Sequence, residues 1–206
     1  MTSVCKQCGG AIQQTPVLSE DNFDWMGLCP NCQITILQNL DRTNTAVLHK
    51  QYRTQKVPKR YWDAELQPAH MDFVGADAVC NGDVGMYIIG ESGIGKSWLS
   101  VAWLRYLIYK GLRCRYINWS DVMVQLRMDI KYYEQLQASA LLADCVFIDD
   151  FDATNTYMYD LVYNFINTLY NAPKLVHFNS IELPTQAKLA MRIGEMTTQV
   201  KLVRGK

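Results

Sequence analysis

Gly90-Glu91-Ser92-Gly93-Ile94-Gly95-Lys96-Ser97 follows the apolar run Met86-Tyr87-Ile88-Ile89 and precedes an amphipathic segment that reaches Lys110 and stops at Gly111. These eight residues fit the phosphate-loop pattern G-x-x-x-x-G-K-[ST] without a mismatch. The pattern has a mechanism only between a strand and a helix, which is where it stands here. Glycines let the backbone wrap a chain of phosphates, and the helix N-terminus directs N–H groups and its dipole at them. Lys96 is expected to reach the β- and γ-phosphates of ATP or the phosphates of ADP, and Ser97 to ligate Mg2+; Gly90, Glu91, Ser92, Gly93, Ile94 and Gly95 form the cradle. A chance glycine-rich turn would not need the strand and helix that flank it.

Downstream, short apolar runs alternate with longer amphipathic ones, the texture of a parallel sheet interleaved with helices. Strands are predicted over 86–89, 115–119, 146–148, 175–178 and 200–203. Helices are predicted over 96–110, over a stretch capped by Ser120 or Asp121 that carries Val122, Val124, Leu126 and Met128, and over 157–170. Upstream, a polar stretch with His49, Lys50, Arg53, Lys56, Lys59 and Arg60 reads as a linker, partly helical. The organisation expected is a small module over 1–45, a linker over 46–65 and an α/β domain over 66–206.

With 206 residues the chain has room for one α/β domain of about 130 to 150 residues and an appendage. Hydrophobic residues make up 49% and charged residues 19%, which excludes a disordered or fibrous chain. Formal net charge is zero, so contact with DNA or RNA requires a local patch rather than a global basic field. The N-terminus lacks the basic and apolar regions of a secretory signal, and no apolar run is long enough to span a bilayer, so a cytoplasmic protein with no membrane partner is expected. In a reducing compartment the seven cysteines are not a disulfide framework.

Four of them form C-x2-C-x20-C-x2-C: Cys5, Cys8, Cys29 and Cys32. Two tight knuckles present four thiolates to one tetrahedral ion, and a structural Zn2+ is the assignment; a redox dithiol or an iron–sulfur cluster are the alternatives. A segment this short buries too little to fold alone, so the metal would supply much of its folding energy. Cys80, Cys114 and Cys145 stand singly and read as inert buried thiols, and His49, His70 and His177 show no ligand spacing.

Cys145-Val146-Phe147-Ile148-Asp149-Asp150 supplies what a phosphate loop needs opposite it, an apolar strand ending in carboxylates. Asp149 is the candidate for the Mg2+ water shell and Asp150 for the base that polarises the attacking water. Adjacent aspartates also serve simply as turn formers.

Beyond these motifs the chain resembles the DnaC/DnaI helicase loaders and IstB transposition helpers, a branch of the AAA+ ATPases. The resemblance runs from about residue 57 to the C-terminus. Val57-Pro58-Lys59-Arg60-Tyr61-Trp62 is similar to the proline-arginine-tyrosine segment that lies near the adenine in that family, which implies nucleotide contacts for Arg60 and Tyr61. Lys174-Leu175-Val176-His177-Phe178-Asn179-Ser180 resembles its fourth strand, which implies that Asn179 senses the γ-phosphate; alone, an Asn at a strand end reads as a turn residue. Arg192 stands where the family places an arginine finger for the neighbouring subunit, which implies self-association through the nucleotide site; its other reading is a solvated helix arginine. Two departures stand out. The chain stops at Arg204-Gly205-Lys206 where the family continues to a further serine and arginine, so no lid domain is assigned and isolated ATPase activity is expected to be feeble. The residue before Arg192 is the apolar Met191, where a small polar or acidic one is common.

The resemblance implies an AAA+ core with a five-stranded parallel sheet flanked by helices. It also implies an ATP-hydrolysing replication factor that grips a hexameric replicative helicase and engages single-stranded DNA. Arg127 and Lys131 are candidate DNA contacts, as solvated charges are the alternative. An N-terminal zinc module favours the loader branch, encoded by a bacterium or a phage. A transposition helper and a small-molecule kinase are the competing functions, and the kinase lacks an evident acceptor pocket or arginine-bearing lid.

Overall fold

The computed structural model describes residues 3–4, 11–12, 32, 45–67, 79, 82–129, 131–152 and 158–203. Near the N-terminus, β1 (Ser3–Val4) pairs antiparallel with β2 (Ala11–Ile12). Five apolar runs form a second sheet: β3 (Gly85–Ile89), β4 (Cys114–Asn118), β5 (Cys145–Asp149), β6 (Leu175–Ser180) and β7 (Thr197–Lys201). Every pairing in it is parallel and the order is β4-β5-β6-β3-β7. The central strands are buried on both faces, as continuous apolar runs require. Along β5, Cys145 and Phe147 enter one core cluster while Val146 and Ile148 enter the other, the two-residue alternation of a strand.

The first face is covered by α1, which spans residues 45–54, and by α2 (Lys96–Tyr109). Every residue of α2 from Leu99 to Leu107 is buried, which identifies it as a helix enclosed on all sides rather than a surface amphipath. Its outer side is roofed by the stretch expected to be a linker. Leu48, Tyr52, Val57, Trp62, Ala64 and Leu66 are buried in the same cluster as Leu99, Trp103 and Met86. Arg105 of α2 fastens that roof, its Nη1 donating to the carbonyls of Trp62 and Ala64 at 3.4 and 3.1 Å. Basic residues on a polar background disguised an apolar stripe at positions 48, 52 and 57.

The second face carries α3 (Trp119–Met128), α4 (Lys131–Leu141), α5 (Tyr159–Tyr170) and α6 (Ala187–Met196). Trp119, expected to end β4, instead starts α3, and the cap is Asn118, whose Oδ1 accepts the N–H of Asp121 at 3.0 Å. A large aromatic residue reads as strand by propensity, but here its indole is needed between Phe151 and Phe165 in the second core. Val122 and Leu126 are buried as expected, whereas Val124 and Met128 are exposed. Asp129 breaks the segment by capping Lys131, so Arg127 and Lys131 lie on different helices. Gly111 ends α2 at φ +88°, with its N–H on Ile108 and the N–H of Leu112 on Leu107. The fifth strand of the sheet begins three residues before the expected position, directly after α6.

This strand order places a reversal at β3. The chain leaves β3 for the far edge at β4 and returns through β5 and β6 to β3's side, with β7 added on the other flank. In open α/β sheets the crevice beyond the carboxyl ends of the strands at such a switch is where ligands bind.

Candidate nucleotide site

The phosphate-loop segment bridges β3 to α2 at that crevice. Gly93 and Gly95 adopt φ of +78° and +103°, values an L side chain rarely takes, which explains the glycines in the motif. Lys96 begins α2 and is buried, its Nζ donating to the carbonyls of Gly90 and Glu91 at 2.8 Å each. Burial holds its ammonium pKa below the ordinary lysine value, against the opposing pull of Asp150 and Asp149. Ser97 follows in the same turn, half-buried.

Asp149 ends β5 almost fully buried and is held on both carboxylate oxygens: Tyr116 Oη donates to Oδ2 and Asn179 Nδ2 to Oδ1. Asn179, on β6, is itself inaccessible to solvent. Its Nδ2 also donates to Ser100 Oγ at 3.1 Å, while its Oδ1 accepts the backbone N–H of Asp150 at 2.7 Å and its carbonyl accepts that of Phe151 at 2.8 Å. One asparagine thus ties together α2, β5 and the turn after β5.

Asp150 sits in that turn at φ +53°, an exposed residue whose carboxyl group is partly buried. Partial burial raises its pKa and the adjacent Asp149 adds to the rise; Lys96, Arg60 and a side-chain hydrogen bond with Asn118 oppose it. A carboxylate with raised proton affinity beside a lysine is suited to take a proton from water. The segment carrying Arg60 and Tyr61, a 3-10 turn over Lys59–Tyr61, reaches the rim of the same cluster. Arg60 packs its guanidinium 4.7 Å over the Tyr61 ring and acts on Asp150, while Tyr61 acts on Tyr116.

Lys96, Asp149, Asp150 and Asn179 are therefore brought together, with Arg60 and Tyr61 alongside. Arg192 is not: it lies on α6 with its guanidinium 4.0 Å over the Tyr170 ring and Nη1 3.9 Å from Glu195. Cys5, Cys8 and Cys29 lie outside the described residues; Cys32 is half-buried. Among the described residues no group of three or more His, Cys, Asp and Glu side chains gathers as a metal cluster. The Ser97 hydroxyl and the Asp149 carboxylate are hard oxygen donors, the kind of ligand Mg2+ takes. Among the described residues no helix is long and apolar enough to cross a membrane.

Three further polar side chains meet this cluster without being marked in the sequence. Tyr116, Asn118 and Ser100 carry no motif of their own, and only the parallel register that sets Asn118 opposite Asp149 brings β4 to the carboxylates. His177, given no role, is fully buried between Phe147 and Trp103, its Nδ1 accepting the N–H of Met86 at 3.1 Å.

No protein-family model matches the chain, and no curated protein matches it in sequence. Among solved structures it is similar to a crystal structure of DnaI, at 14% identity and a TM-score of 0.58, over 72% of this chain and 93% of that one. It is similar to the DnaC helicase loader at 21% identity and a TM-score of 0.52, over 70% of this chain and 99% of that one. The replication initiator DnaA, bound to AMPPCP and single-stranded DNA, matches at 19% identity and a TM-score of 0.53, over 63% of this chain. The chain spans 44% of that initiator. At these identities the likeness is one of fold. What the chain shares with these structures is an α/β fold, here a five-stranded parallel sheet flanked by helices.

Proposed function

We propose that the chain is an ATP-binding, Mg2+-dependent ATPase of DNA replication that binds a hexameric replicative helicase and loads it onto single-stranded DNA. The observation that carries this reading is the convergence of Lys96, Asp149, Asp150 and Asn179 behind a complete phosphate-loop motif, on the fold that DnaI and DnaC share. Lys96 would hold the β- and γ-phosphates, Ser97 and Asp149 the metal, Asp150 the attacking water and Asn179 the γ-phosphate. Mg2+ would neutralise charge developing on the transferred phosphoryl group. Arg60 and Tyr61 would flank the base.

Arg192 would serve a neighbouring subunit, for which it must leave Tyr170; ATP would then control subunit packing more than turnover. Cys5, Cys8, Cys29 and Cys32 would hold Zn2+ in a module that grips the helicase. The β1–β2 pairing on either side of Cys5 and Cys8 is compatible with a knuckle between two strands. The protein would act in the cytoplasm of a bacterium, whether encoded by the host or by a phage.

The test is a pull-down with the replicative helicase of the same host, with ATP or ADP, comparing the full chain with one starting at Thr45. Retention by the full chain and loss by the shorter one is the expected outcome. Equal retention of both would refute the assigned role of the N-terminal module, and retention of neither would remove the helicase as partner.

A further inference from the structure

The site already described accounts for Lys96, Asp150 and Asn179 but leaves Tyr116 without a purpose. Its side chain is almost wholly buried, so its hydroxyl needs a partner, and the partner is the carboxylate of Asp149. The strand that carries it is the edge of the sheet, yet it is not loosely held. Its backbone N–H donates to Gln55 Oε1 at 2.6 Å, from the turn that ends α1. Gln55, Tyr116 and Asp149 form a continuous chain from the roof segment to the end of β5.

We infer that Tyr116 is a positioning residue for the metal: it fixes the plane of the Asp149 carboxylate so that its remaining lone pairs face the position of Mg2+. This rests on the phosphate-site reading above. A carboxylate at a strand end turns freely about its last bond. Held by Asn179 on one oxygen only, it would retain that freedom; held by Tyr116 on the other as well, it does not. A phenol does this without adding a cation that would repel the metal, and burial raises the Tyr116 pKa far above the ordinary tyrosine value, so the group stays a neutral donor. The preorganisation is lost if the hydroxyl is removed and the ring kept.

The experiment uses the full chain and a fluorescent ATP analogue, titrated first in EDTA and then with Mg2+ at fixed analogue. Tyr116→Phe is expected to leave affinity in EDTA unchanged, which also reports an intact fold, and to raise the Mg2+ half-point about tenfold, the worth of one hydrogen bond to a charged group. Gln55→Ala, which spares Tyr116 itself, is expected to raise the half-point in the same direction by less, and it serves alone if the Phe variant does not fold. A half-point unmoved or lowered, with binding in EDTA intact, overturns the positioning role and leaves the nucleotide site standing. Equal weakening in EDTA and in Mg2+ overturns it too, since that is the mark of a merely structural tyrosine. If the wild-type chain binds no analogue at all, the phosphate-site reading fails and takes this inference with it.

Discussion

His177 makes the core sensitive to acid. It lies at the centre of β6, stacked 4.5 Å from the Phe147 ring, with no charged neighbour among the described residues to favour its protonated form, and burial pushes its pKa from 6.5 down to about 3. In the unfolded chain the same imidazole takes a proton near its ordinary value. The unfolded state therefore binds more protons between those two values, and stability contributed by the neutral ring is complete above about pH 6.5 and lost progressively as pH falls towards 3. At pH 5 the loss works out at about 2 kcal/mol, against a total of about 5–15 kcal/mol for a domain. Asp150, whose pKa is raised, acts in the opposite sense, so the contribution is best isolated by difference. Urea unfolding of wild type and His177→Asn at pH 7.5 and pH 5 is the assay. Asn keeps an acceptor for the Met86 N–H but no titrating group. The wild type should lose about 2 kcal/mol more than the variant between the two conditions. Equal losses would show that His177 is protonated at no cost, and that the packing around it is not as described.

Tyr52→Ala, in the stretch that sequence alone presents as a linker, should cost about 3 kcal/mol by opening a cavity over α2, read as a lowered urea midpoint; a surface-like change under about 0.5 kcal/mol would mean that α1 is not part of the core. Asp150→Asn should leave nucleotide bound but lower phosphate release at least about a hundredfold, measured at saturating ATP; unchanged turnover removes Asp150 from the chemistry. Zinc analysis should find about one equivalent per chain, and chelation should unfold the N-terminal module while nucleotide binding persists; less than about half an equivalent counts against the four-thiolate site.

The sheet was legible because its strands are short apolar runs separated by helical ones, and because the phosphate loop fixes which strand comes first. Boundaries were less so. Trp119 has strand propensity but is claimed by the aromatic core, and β7 starts at Thr197, where polar residues on an edge strand give no apolar run to read. The roof was missed because Leu48, Tyr52 and Val57 are spaced among basic residues, and only their burial against α2 distinguishes core from linker. The acidic end of β5 and Asn179, singled out by motif and resemblance together, lie in contact with each other. Tyr116 and Asn118 were not singled out, since their place beside the carboxylates is set by a register across strands far apart in sequence. The packing of Arg192 against Tyr170 and Glu195 is likewise something no spacing rule announces.

If Gly90–Ser97 holds the phosphates of ATP, equilibrium binding of ATP with Mg2+ will separate wild type from Lys96→Ala. Saturable one-to-one binding by the wild type is expected, with binding by the variant at least about a hundredfold weaker, the consequence of removing a buried charge-assisted contact. Equal affinity of the two proteins, or no binding by the wild type, would contradict it.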